Sequence, residues 1–155
     1  MSNHNKLQGL RVLNTRPLEQ GRTLSRAIFE AGGKPIDFPT LAISPISDDW
    51  LALLPKLTEV HHAIFVSTNA VHHFYTMLKQ KGVQWPTKIQ TTAIGKATAT
   101  TLAKWNIRVD HIPSVADSEH LLQLDALQEV KNQTILLIKG KGGRTEIANT
   151  LVQHG

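Results

Sequence analysis

Four times along this chain a short apolar run ends in a polar turn, and a helical pattern starts at once. Thr91–Ile94 runs into Gly95, followed by Lys96-Ala97-Thr98-Ala99-Thr100. Arg11–Thr15 leads into Arg16-Pro17, and Ala63–Val66 into Ser67-Thr68-Asn69. Thr134–Ile138 leads into Lys139-Gly140-Lys141-Gly142-Gly143-Arg144. Strands spaced by helices of about a dozen residues pair in parallel through crossover connections. Their carboxyl ends then share one edge of a sheet, which is where open parallel sheets take ligands. The first N–H groups of each following helix lack internal partners and carry the positive end of its dipole. Turns rich in Ser, Thr, Gly, Lys and Arg at that edge predict a receptor for a polyanion.

A first βαβ unit is read over residues 10–38. Leu10–Thr15 is a strand, and Pro17 suits a first helical turn. Leu24, Ala27, Ile28 and Ala31 form a helical stripe over 18–31, and Gly32-Gly33 ends that helix. Lys34–Phe38 is the second strand. Residues 39–46, with two prolines and alternating Leu41, Ile43 and Ile46, read as an extended linker. A helix is expected over Trp50–Leu57, disturbed at its end by Pro55. From there the spacing predicts strands at 63–66, 89–94, 108–112 and 134–138. Helices are predicted at 69–81, 96–104, 118–128 (with Ser118 as N-cap) and 143–154. The fold class is α/β: a flavodoxin-like parallel-sheet domain with helices on both faces, beside a βαβ unit too small to bury its own core.

The formal charge of +5 favours acidic partners. The Lys and Arg residues are scattered and no aromatic stacking set accompanies them, which argues against nucleic acid. No run of about 18 apolar residues occurs, so no membrane span is expected. An aromatic content of 5% predicts an aliphatic core, and the absence of Cys fits a reducing cytoplasm. His61-His62 and His72-His73 lack accompanying carboxylates, so no metal site is expected. Gly140–Gly143 lacks the spacing of a nucleotide phosphate loop. Trp50, Trp85 and Trp105 are spread along the sequence and read as core or lid contacts.

With those residues in place, the chain resembles the uroporphyrinogen-III synthase family. The resemblance is carried by Val12–Pro17, Gly33–Pro39, Ile64–Val71, Ala93–Ala99, Ser118–Leu122 and Ile135–Arg144, in that order and spacing. It implies two α/β domains joined by a two-stranded linker, the first domain being discontinuous. Residues 1–38 would be the βαβ portion of that first domain, 39–46 the linker and 47–155 the second domain. It implies a lyase of heme biosynthesis that closes hydroxymethylbilane, a polyanionic linear tetrapyrrole, with inversion of its last pyrrole ring. The resemblance implies no metal and no organic cofactor.

By motif, Thr98 is the expected catalytic residue. Arg16, Ser67, Asn69, Gly95, Lys96, Ser118, Lys139 and Arg144 are expected to hold substrate carboxylates. The chain stops about where the family's return linker begins, and a Tyr discussed as catalytic would follow. Little or no turnover is therefore expected of these 155 residues alone. Self-association through 10–38 is expected as well. The competing reading is a non-catalytic α/β module that binds an acidic small molecule.

Overall fold

A computed structural model describes residues 6–142 and 145–155. The chain divides into two compact units, Met1–Pro45 and Ile46–Gly155.

The first unit is a parallel βαβ. Strand β1 (Arg11–Asn14) pairs with β2 (Lys34–Asp37) from Arg11↔Lys34 to Asn14↔Asp37, with α1 (Leu18–Glu30) between them. Gly32 ends α1 at φ 82°, a conformation that favours glycine. The buried face of α1 is Gly21, Ser25 and Ile28, so of the expected stripe only Ile28 is fully buried. Leu24 is 38% exposed, and Ala27 is exposed too. The reason is polar. Asn14, 2% exposed, sends its side-chain Nδ2 to the Gly21 carbonyl (2.9 Å), the Ser25 Oγ (2.7 Å) and the Asp37 Oδ1 (3.1 Å). A Cβ on Gly21 would sit 3.0 Å from that Nδ2. The small face of the helix therefore turns toward the strand ends.

The second unit is built on a three-stranded parallel sheet. Strand β3 (His62–Phe65) lies between β4 (Gln90–Ala93) and β5 (Ile135–Ile138). The side chains of β3 alternate between two cores. Ala63 and Phe65 join Val71, Phe74, Tyr75 and Leu78 of α2 (Thr68–Gln80) and Leu102 of α3 (Lys96–Lys104). Ile64 joins Leu121 of α4 (Ser118–Leu122), Leu127 and Val130, and Ile147 and Leu151 of α5 (Glu146–Gln153). Helices thus cover both faces. Phe65, Ile64, Leu102, Leu121 and Leu127 are fully buried, each contributing about 1.5–3 kcal/mol of transfer free energy.

Other expectations are corrected here. The helix expected over 50–57 is two 3-10 segments, Asp48–Leu53 and Leu57–Glu59, separated at Pro55, whose ring and missing N–H stop a helix. The strand expected at 108–112 reduces to one bridge, Thr92↔His111. The long helix expected over 118–128 stops at Leu122, and Asp117, not Ser118, is its N-cap. A 3-10 turn follows at Asp125–Leu127. The core is also not purely aliphatic. Six of the eight aromatic residues (Trp50, Phe65, Phe74, Tyr75, Trp85 and Trp105) meet on the α2 side of the sheet, with Trp50 on Phe74 at 5.4 Å and Tyr75 on Trp105 at 5.8 Å. The other two, Phe29 and Phe38, are exposed in the first unit.

Tyr75 is 5% exposed, and its buried hydroxyl meets no hydrogen-bond partner among the described residues. Burial pushes its pKa upward. An orphaned hydroxyl costs free energy that a phenyl ring does not. Tyr75→Phe is expected to stabilise the second unit by about 1 kcal/mol in urea denaturation, since the ring contacts stay and the desolvation penalty goes. Destabilisation on that substitution would show that the hydroxyl has a partner in solution.

Candidate functional site

The site is assembled by register. Phe65 pairs with both Ala93 and Ile138. Two residues beyond these stand Ser67, Gly95 and Gly140, so three turns leave the sheet at one level, about 4.8 Å apart from strand to strand. Backbone bonds continue that alignment: Ile94 N–H donates to the Phe65 carbonyl (3.0 Å) and Val66 N–H to the Ile138 carbonyl (3.2 Å).

Each turn serves its helix differently. The Ser67 hydroxyl accepts from the Ala70 N–H at 3.1 Å, capping α2. Asn69 follows in the first turn of that helix and is half-buried. Helix α3 has Gly95 as N-cap and no capping side chain. Its backbone ladder begins with Ala99 N–H to the Gly95 carbonyl. The N–H groups of Lys96, Ala97 and Thr98 precede it, at the positive end of the dipole. Lys96 is exposed there. Thr98 lies in the same turn, and its side chain is turned inward: the residue is 4% exposed. Lys139 directly follows β5 and is half-buried. Ser118 opens α4, behind Asp117, whose carboxylate accepts the His120 N–H at 2.8 Å. That bond, and the His120 ring next to it, hold the Asp117 pKa below its usual range. A carboxylate therefore already answers the dipole of α4.

Gly95 has a packing role that sequence reading missed. Its φ of −177° is open to any residue. A Cβ built on it would stand 2.6 Å from the Ala116 Cβ. The segment before α4 lies directly on the start of α3, and only glycine leaves room. Gly95→Ala is expected to cost about 1–3 kcal/mol in thermal or urea unfolding, as overpacking does. Ala116→Gly in the same chain should recover most of that loss. No recovery would mean that the clash is not the cause.

Arg16 belongs to the first unit. It is exposed, just past the carboxyl end of β1. Arg144 lies outside the described residues. Sequence reading also missed Asn14, Ser25 and Asp37. The available signal was Gly21, a glycine inside a helix where alanine would be favoured.

His61 and His62 are engaged within the fold. His62 is 1% exposed, with Nε2 2.6 Å from the Thr92 hydroxyl and its ring stacked on His111 at 5.7 Å. His61 Nδ1 accepts the Thr134 N–H at 3.0 Å. Among the described residues no group of three His, Cys, Asp or Glu side chains is arranged to hold a metal ion. Among them, too, no helix is long and apolar enough to cross a membrane. A shallow polar hollow of about 270 Å³ lies at the opposite, amino edge of the sheet, lined by Thr58, Val60, His61, Lys88, Gln90 and Gln133.

These features define a parallel α/β protein with polar, cationic strand-to-helix turns along one sheet edge. A model of the family described as uroporphyrinogen-III synthase HemD matches residues 22–155. The uroporphyrinogen-III synthase of Proteus mirabilis is 31% identical over 149 residues, covering 93% of this chain and 74% of that protein. That of Chlorobaculum parvum is 30% identical, covering 93% of this chain and 58% of the relative. Two crystal structures of the Thermus thermophilus enzyme share the fold, with TM-scores of 0.59 and 0.70 at 18% and 19% identity. Each match covers 95% of this chain and 58% of that one. The chain belongs to the uroporphyrinogen-III synthase family. It spans between about half and three quarters of the length of these relatives.

Proposed function

We propose that the protein acts as a uroporphyrinogen-III synthase, a lyase step of heme biosynthesis carried out in the cytoplasm. Its substrate is hydroxymethylbilane, which carries acetate and propionate groups on all four rings. The observation that carries this reading is the alignment of three strand-to-helix turns at one edge in a chain of this family. Carboxylates suit the uncapped N–H groups of α3 and the ammonium of Lys96. Ser67, Asn69, Gly95, Lys96, Ser118 and Lys139 are the proposed carboxylate contacts of the second unit, Arg16 that of the first, and Arg144 completes the set by motif.

The reaction needs no strong nucleophile. The hydroxymethyl C–O bond breaks, the hydroxyl leaves as water on taking a proton, and the azafulvene that forms is attacked by the last pyrrole ring through its already substituted α-carbon. The bond from that carbon to the preceding methylene then breaks, and the released methylene closes on the ring's other α-carbon, which gives up its proton. The protein's work is to fold the chain so that this attack takes the inverted sense, and to stabilise charge as the hydroxyl leaves. Thr98 is the proposed donor at that step.

Two experiments test this. Uroporphyrin III, a stable eight-carboxylate relative of the product, is expected to bind, read by tryptophan fluorescence. No binding at millimolar concentration would contradict the function. Chromatography of product isomers reads turnover. The chain spans 58–74% of the length of these relatives, so type III product is expected at no more than a few per cent of their rate, about 100-fold or more lower. An equal rate would contradict that expectation.

The division 1–38, 39–46 and 47–155 is part of the same proposal. In the first unit Leu10, Leu13, Leu18, Phe29, Phe38 and Leu41 are each more than half exposed on or beside a two-stranded sheet. Two-stranded sheets seldom stand alone, and open edges recruit partners. The 155-residue chain is therefore expected to self-associate through 10–38. Light scattering should give at least twice the 17.2 kDa mass of one chain, while a chain starting at Ser47 should give its own monomer mass. A monomer whose 10–38 amides exchange slowly would reject it.

A further inference from the structure

We infer that Asn14 is a positioning residue for Arg16. The inference rests on the reading of Arg16 as a carboxylate contact. Asn14 stands at the last position of β1, 2% exposed, and its two side-chain atoms face opposite tasks. Oδ1 accepts the Arg16 N–H at 3.3 Å, which closes an Asx turn over Thr15. Nδ2 donates toward the Gly21 carbonyl and Ser25 Oγ of α1 and toward Asp37 Oδ1 at the end of β2. Ser25 Oγ also donates to Asp37 Oδ1. One side chain therefore ties the turn that presents Arg16 to both neighbouring elements.

The other side of the turn is held as well. The Thr15 carbonyl accepts from the Thr40 N–H and from its hydroxyl, both at 3.3 Å. The Asn14 carbonyl accepts the Phe38 N–H at 2.9 Å. An exposed arginine on a free turn loses much of its binding strength to ordering entropy, and a fixed turn avoids that loss. A leucine at position 14 would pack against α1 just as well if packing were the only task. A buried amide with every hydrogen-bonding atom engaged is what fixing a turn requires.

The test uses the whole chain, with uroporphyrin III as the probe and affinity read beside melting temperature. Arg16→Ala is expected to weaken binding about 10-fold, the size of one charged hydrogen bond. Asn14→Ala should weaken it about 5- to 10-fold, and the double variant no further than Arg16→Ala, because the two act as one unit. Ser25→Ala leaves the Asx turn in place, so it should lower the melting temperature while affinity stays within about twofold. If Asn14→Ala does not fold, Asn14→Ser replaces it. Serine can close the same turn, and a folded Asn14→Ser should bind within about threefold of the parent.

Unchanged affinity in a folded Asn14→Ala overturns the inference. So do multiplicative losses in the double variant, a Ser25→Ala loss as large as that of Asn14→Ala, or a 10-fold loss in folded Asn14→Ser. Arg16→Ala without effect removes the reading of Arg16 itself, and the inference with it. That outcome is distinct from a weakened Arg16→Ala beside an unaffected Asn14→Ala.

Discussion

Lowering the pH from 6.5 to 4 is expected to cost the second unit about 3 kcal/mol of stability through His62 alone. His62 is buried in the sheet with Nε2 on the Thr92 hydroxyl, and its Nδ1 has no partner among the described residues. Burial, then the neighbouring His111, pulls its pKa from 6.5 down to about 4, and Asp110 opposes them. In this window the unfolded chain takes up a proton that the folded chain refuses. Stability is therefore full above pH 6.5 and falls as the pH drops toward 4. Asp117, whose pKa is lowered, adds its own loss at the acid end of this range and below it. Urea midpoints at half-unit steps, read by tryptophan fluorescence, measure the slope. His62→Asn should flatten it between pH 4 and 6.5. A flat parent profile, or an unchanged slope in the variant, contradicts this account of His62.

In a version extended to the full length of the relatives, removing the Thr98 hydroxyl is expected to reduce turnover by roughly 30- to 1,000-fold, about 2–4 kcal/mol by analogy with oxyanion donors. Thr98→Val is the sharper variant, since it keeps the shape that 4% exposure makes important and removes only the oxygen. Thr98→Ser should keep most of the activity. Rates of type III formation are to be compared per folded molecule, beside melting temperatures. If Thr98→Val lowers only the melting temperature, Thr98 is a core threonine at a helix start and nothing more.

What could be read in the sequence was whatever local signals fix. Helix α3 has the expected bounds because Gly95 precedes it and the chain turns at Asn106, φ 58°. Helix α1 ends where Gly32 requires it. What could not be read depends on partners distant in sequence. Leu121, Leu122, Leu124 and Leu127 look like one helix, yet all four pack into one core beside Val130. At 100° per residue an unbroken helix would point them all the way round its axis. The break at Leu124, ψ 130°, brings them together. The aromatic cluster escaped for a similar reason. A 5% average says nothing about three tryptophans from distant segments meeting around Phe74 and Tyr75. At the site, the strand-to-helix turns were legible as polar punctuation. The Asp117 cap and the Gly95–Ala116 contact were not, since each depends on how a loop lies on a neighbouring element.

The central claim is that the carboxyl edge of the β4-β3-β5 sheet receives a polycarboxylate tetrapyrrole. The direct measurement is a titration of the ¹⁵N-labelled chain with uroporphyrin III, following each backbone amide. The account predicts the largest saturable shifts at residues 67–69, 95–98 and 139–140. Shifts confined to His61, Lys88, Gln90 and Gln133 at the opposite edge, or scattered without saturation, would contradict it.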